Sequence, residues 1–186
     1  MKIETAKCII ETALLTSQNP ISISDIKKIF DGELDEKILN SLLIELKDDW
    51  KDRGLDLVSV STGWRFQSKL EFAKYLDKLQ PEKNFRYSRA VMETIAIIAY
   101  KQPVTRGDIE KVRGVSVSSY IMKTLEERQW IISVGQKETI GKPTMFGTTK
   151  KFLDDLGLLS IEDLPVISDS DFKTNEDLMR TEEDNL

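Results

Sequence analysis

The side chains that could do chemistry in this 186-residue chain are carboxylates and cations: 32 Asp and Glu against 27 Lys and Arg, with one cysteine and no histidine. Without imidazole there is no Ser-His-Asp or Cys-His machinery, no HExxH zinc helix and no proton shuttle tuned to neutral pH. A single thiol makes neither an intramolecular disulfide nor a thiolate metal cluster. Glu11 and Glu93 recur at matched positions, but one carboxylate per half of the chain is a structural echo, not an acid–base pair. There is no Gly-rich phosphate loop and no spacing of metal ligands, so the chain is expected to use no cofactor or metal and not to be an enzyme. Cys8 lies in an apolar-periodic stretch and is expected to be a small core residue.

The net charge of -5 is unevenly placed: residues 1–82 carry -3, residues 83–161 carry +5 and residues 162–186 carry -7. The sequence pI of about 5.0 is far from the value above ~9 that marks a dedicated DNA-binding domain. The last stretch, SDSDFKTNEDLMRTEEDNL, is polar and poor in large apolar residues, so residues 168–186 are expected to form an acidic, disordered tail. The opening MKIETAKCII reaches no sustained apolar run and does not read as a signal peptide. The densest apolar stretch, Ala90 to Tyr100, contains Glu93 and Thr94 and falls far short of the roughly 20 residues of a membrane span. A soluble, cytoplasmic protein is expected.

The elements that would position these residues come from a near-repeat. Ile10-Glu11-Thr12 recurs as Met92-Glu93-Thr94, and each is followed by a P-[IV]-[ST]-x-x-D-I-x-K segment, at Pro20–Lys28 and again at Pro103–Lys111. Phe66 and Phe72 then stand six apart, as do Phe146 and Phe152. Two copies about 80 residues apart indicate two tandem domains of one fold. In the first, apolar residues at 3, 6, 9, 10, 13 and 14 give a helix over 3–17, which Asn19-Pro20 ends. A short helix runs to Phe30 and stops at Gly32, and a longer one starts at Asp35. Val58, Val60, Trp64 and Phe66 then alternate about Ser61-Thr62-Gly63 as a β-hairpin. The second copy repeats the order, with helices over 88–101, 105–112 and 116–129, the last capped by Ser116, and strands over 131–135 and 144–149. Three helices followed by a hairpin describe a winged helix-turn-helix. The fold class expected is mainly α with small β-hairpins (α+β), built as two tandem winged helix-turn-helix domains, 1–80 and 85–160, joined through Leu79–Asn84.

A winged helix invites a DNA-binding reading, which the third helices test. The first copy opens this helix with Glu33, Asp35 and Glu36 and continues with Glu45, Asp48 and Asp49; these suit the helix dipole and repel phosphate. The second opens Val115-Ser116-Val117-Ser118-Ser119-Tyr120, with none of the Arg, Asn or Gln that read base edges. DNA contact is expected to be at most weak and non-specific, through cations such as Lys137 and Lys142, and a tandem winged-helix transcriptional regulator is the alternative function. In the second domain's first helix, apolar residues from Ala90 to Tyr100 cover nearly the whole circumference, more than a domain of this size can bury.

Several short motifs in one order resemble those of the segregation and condensation protein B family. They are Arg89-Ala90 with Glu93-Thr94, Ile97 to Arg106 (IIAYKQPVTR), Ile109 to Ser116 (IEKVRGVS), Leu125-Glu126-Glu127-Arg128, Gly141-Lys142-Pro143 and Phe146 to Leu153 (FGTTKKFL). The likeness spans residues 3 to about 167 and is looser in the first half, where Gly63 to Ser68 carries it. It implies a homodimer paired mainly through the N-terminal domains, a kleisin partner and, through the kleisin, the SMC ATPase of a complex that compacts and segregates chromosomes. It also implies no enzymatic activity and a nucleoid-associated place in the cytoplasm. Arginine is associated with the positions of Gln136 and Lys142, a departure that weakens the wing as a site. On this reading Tyr100, Arg106 and Arg113, which flank the apolar helix, are the kleisin contacts, since aromatic and guanidinium groups dominate interface energies. Ile3, Ile10 and Leu14 are the dimer contacts.

Overall fold

The computed structural model describes residues 2–79 and 87–166. Most of the expected linker and the whole of the acidic tail, 168–186, lie outside the described residues. The described residues divide into two compact units, 2–79 with Leu153–Ser160, and 87–152 with 161–166. The boundary differs from 85–160 because Leu153–Ser160 group with the first unit: there the Ser61 N–H donates to the Leu158 carbonyl (3.0 Å). Buried Asp154 accepts from the Thr62 N–H (3.0 Å) and hydroxyl (2.6 Å).

The first unit begins with α1 (Ile3–Thr16), α2 (Ile23–Ile29) and α3 (Glu36–Asp49), followed by the antiparallel hairpin β1 (Leu55–Val60) and β2 (Gly63–Ser68). Ala6, Ile10 and Leu14 form the buried stripe of α1, and Leu39, Leu42, Leu43 and Leu46 that of α3; Ile26, Phe30 and Leu57 complete the core. Each stripe keeps to one helix face, by steps of four in α1 and by i, i+3, i+4, i+7 in α3. Ile21 bridges to Trp64 through a reciprocal pair of 2.9 Å backbone hydrogen bonds. Gly63 (φ +153°) lets the strand approach, since a Cβ there would sit 2.2 Å from the Ile21 oxygen. Beyond the hairpin a closing segment, two short 3₁₀ turns around α4 (Ala73–Leu76), spans Leu70–Leu79 and has no buried residue.

The second unit repeats the order with α5 (Arg89–Lys101), α6 (Arg106–Arg113) and α7 (Ser119–Glu127), then β4 (Ile131–Gln136) and β5 (Thr144–Thr148). A two-residue strand β3 (Val104–Thr105) joins the sheet, in the order β3-β5-β4. Helix α8 (Lys150–Leu156) gives this unit its residues up to Phe152, which is buried edge-on to Trp130 with ring centroids 6.0 Å apart. Ser118, not Ser116, caps α7: its oxygen accepts from the Ile121 N–H. The cap shifts because Val117 is fully buried and holds the residues before it in the turn. The gross architecture is therefore helices with small antiparallel sheets.

The recurring P-[IV]-[ST]-x-x-D segment has a local physical job. Ser22 caps α2 by accepting from the Asp25 N–H (3.1 Å). Thr105 caps α6 by accepting from the Asp108 N–H (3.2 Å), and Asp108 returns the bond by accepting from the Thr105 N–H (3.0 Å). The second is a complete capping box, with Asp in the place usually held by Glu or Gln.

Candidate partner-binding surfaces

The buried stripe of α1 settles which of its residues can face a partner. Ile10 and Leu14 are enclosed in the first unit's core, at 0% and 3% exposure, so they hold the unit together and present no surface; Ile3 is exposed. Cys8 is also exposed, against the core position expected of it, because it lies two residues from both Ala6 and Ile10 and so about 200° around the helix from each. Thr5, Cys8, Ile9, Thr12 and Ala13 line a shallow groove on this outer face. None of the five is charged; the charged residues of α1 are turned to other uses. Lys7 pairs with Asp49 (2.7 Å) and Glu45 (3.5 Å) of α3, and these carboxylates hold its ammonium above the ordinary lysine value. Glu11 accepts from the Trp50 indole N–H at 2.7 Å. The signal for this second face was in the sequence, as the uncharged 5, 8, 9, 12, 13 series beside the 6, 10, 14 series.

In the second unit, the three residues expected to contact a kleisin have different partners. Tyr100, half-buried at the end of α5, donates its hydroxyl to the Pro165 carbonyl (2.7 Å). Arg106, in the first turn of α6, donates to the Val117 carbonyl and pairs with Glu110 (3.3 Å), while Glu110 accepts from the Val117 N–H (2.9 Å). That backbone donor, helped by Arg106, holds the Glu110 carboxyl below its ordinary value. Arg106 thus braces the turn between α6 and α7 and keeps about half of its side chain in solvent (47%). Arg113, in the last turn of α6, is only 8% exposed and donates to Glu93 (3.3 Å), which Arg89 also meets at 2.7 Å. Its Nε and Nη1 are buried without a hydrogen-bond partner. Arg113 is therefore a brace between α5 and α6, which burial makes unable to reach a partner in this conformation. Helix α5 buries Val91, Thr94, Ile95, Ile97, Ile98 and Ala99, and leaves Met92 nearly half exposed.

The hairpin of β4 and β5 carries the remaining charge of interest. Lys137 reaches back to Asp108 at 3.1 Å, tying the hairpin to the first turn of α6. Hydrogen bonds from Thr105 and this ammonium hold the Asp108 carboxyl down at about 2. Lys137 is therefore neutralised locally, which lowers its value for phosphate contact. Among the described residues no group of three or more His, Cys, Asp or Glu is placed to hold a metal ion. No helix among them is long and apolar enough to cross a membrane.

A family model described as "Segregation and condensation complex subunit ScpB" matches residues 8–167, which run through both units. The chain belongs to the ScpB family. It is 46% identical over 165 residues to the segregation and condensation protein B homolog of Coxiella burnetii (strain RSA 493 / Nine Mile phase I), covering 88% of this chain and 79% of that protein. It is 35% identical over 180 residues to segregation and condensation protein B of Clostridioides difficile (strain 630), covering 95% of this chain and all of that protein. A solved structure titled as a dimer of the ScpB N-terminal domain complexed with ScpA peptide is 30% identical; it covers 41% of this chain and 96% of that chain, at a TM-score of 0.38.

Proposed function

We propose that this chain is a non-catalytic adaptor that pairs with a second copy of itself and binds the kleisin subunit of the SMC complex, supporting chromosome condensation and segregation. The observation that carries the reading is membership of the ScpB family across residues 8–167, a family described as a complex subunit. Each unit is read as a winged helix-turn-helix: three helices, the last two joined by a braced turn, then a hairpin. The acidic opening of α3 and the base-poor opening of α7 argue for protein partners over a DNA groove.

The first unit, within 1–80, is the pairing domain, and its contact is the uncharged outer face of α1 with Ile3, not Ile10 and Leu14. The second, within 85–160, is the kleisin contact, to which Tyr100 and Arg106 contribute while Arg113 positions α5 against α6. The complex holds the protein at the nucleoid through the kleisin and the SMC ATPase. Titration calorimetry of the full chain tests this, with purified cognate kleisin in one run and a random-sequence DNA duplex in another. Saturable heat with the kleisin and none with the duplex at physiological salt is expected. Silence with the kleisin, or tight salt-sensitive binding to the duplex, would overturn the reading.

A further inference from the structure

The closing segment of the first unit, Leu70–Leu79, presents five large apolar side chains to solvent: Leu70 (91% exposed), Phe72, Tyr75, Leu76 and Leu79 (77%). None of the five is among the residues that form that unit's core or pack against it. The segment is nevertheless held at its start, where the Lys69 N–H donates to the Gly54 carbonyl (3.2 Å) and the Phe72 N–H to the Lys69 carbonyl (3.0 Å). A fixed apolar surface of this kind marks an interaction site. Its charges are balanced, Glu71 and Asp77 against Lys74 and Lys78. Lys74 lies 4.9 Å over the Tyr75 ring, while Glu71 and Lys78 are exposed and, among the described residues, have no ion-pair partner. Those two stand seven residues, about two helical turns, apart and so lie on one flank of the segment.

We propose that the closing segments of two copies of this chain pack antiparallel against each other, as part of the surface through which the first unit pairs. Like flanks meet in an antiparallel helix pair, so Glu71 of each copy faces Lys78 of the other, and Leu70 faces Leu79. Charge selects this occupant. A peptide of one sign, the acidic stretch 168–186 included, would meet two like charges on the segment, whereas the reversed copy meets opposite ones. Area points the same way. A stable pair buries about 800 Å² per partner, from roughly 20–30 residues a side, and Ile3 with the five residues of the α1 groove falls short of that. The inference rests on the pairing reading and assigns it a contact that α1 does not supply.

Sedimentation equilibrium of the full chain at low salt tests it. Leu70→Lys with Leu79→Lys, at two solvent-exposed positions, is expected to melt within a few degrees of wild type and to weaken pairing about tenfold or more. Glu71→Lys and Lys78→Glu are each expected to weaken it about threefold to tenfold, because each sets like charges together at both ends of the pair. The double variant Glu71→Lys with Lys78→Glu restores opposite charges and is expected to return to wild-type affinity. Wild-type affinity in the Leu70 and Leu79 variant, or a charge double no tighter than its singles, would overturn the contact and leave the pairing reading standing. A wild type that stays at the single-chain mass would overturn both. Kleisin binding lost from the Leu70 and Leu79 variant while its pairing is intact would make the kleisin the occupant and overturn the proposal.

Discussion

The two units share an element order but close differently, and the contrast separates folding residues from surface residues. Trp50 and Trp130 stand 80 apart, as do Phe72 and Phe152. In the second unit Trp130 is buried between Tyr87 (5.1 Å) and Phe152 (6.0 Å), and Phe152 is 4% exposed. In the first, Trp50 packs on Phe66 at 4.7 Å, and Phe72 is left 38% exposed on a closing segment that also presents Leu70, Tyr75, Leu76 and Leu79. The same sequence positions therefore complete a core in one copy and leave an apolar surface in the other. The caps differ likewise: a full Thr105–Asp108 box opens α6, while α2 has the serine half.

Substitutions at paired positions can break this comparison. Trp130→Ala empties an enclosed aromatic site and is expected to cost about 3–5 kcal/mol, whereas Phe72→Ala costs about 1 kcal/mol, both read from urea denaturation. Equal costs would mean that the closing segment of the first unit is as well packed as that of the second. Ile10→Ala is expected to cost about 2–5 kcal/mol without acting through self-association. Cys8→Lys with Thr12→Lys, on the outer face of the same helix, should melt within a few degrees of wild type and lose pairing. Thr105→Ala is expected to cost about 1–2 kcal/mol and Ser22→Ala about half as much, since the Ser22 cap lacks the returning bond to its own backbone N–H; circular dichroism melts of the two variants decide the order.

A pH dependence is expected at Asp108. Its carboxyl is depressed to about 2 from 3.8 by the Thr105 hydrogen bonds and Lys137. Its stabilisation is therefore complete above the ordinary carboxylate value and disappears as the pH falls through about 2. The melting-temperature gap between wild type and Asp108→Asn should be constant at pH 5 and above and close towards pH 2. A gap that persists at pH 2 would show that the box does not depend on the charge.

Helices and hairpins with a strong period were legible in the sequence to within a few residues; α1, α5 and the β1–β2 hairpin are examples. The closing segments were missed, because α8 is seven residues long and the turns over Leu70–Leu79 show no periodic stripe to betray them. Strand β3 is two residues and exists only through its pairing with β5, which no local pattern encodes. The α7 cap was misplaced because Ser116, Ser118 and Ser119 are alike in type, and only the burial of Val117 separates them. At the surfaces, residue type pointed to Arg106 and Arg113 equally. Glu93 and the last turn of α6 bury one, and the first turn exposes the other. Ile10 and Cys8 were both assigned from the apolar period of α1, whose phase had to be known before inside and outside could be told apart.

The central claim is that the first unit pairs and the second binds the kleisin. Light scattering on size-exclusion fractions of Cys8→Lys with Thr12→Lys, alone and mixed with cognate kleisin, tests it most directly. The account predicts wild type near twice the 21.3 kDa chain, the variant near the single-chain mass, and a further rise for both on adding kleisin. A variant that remains a dimer, or a monomer that no longer takes up kleisin, would contradict that division of labour.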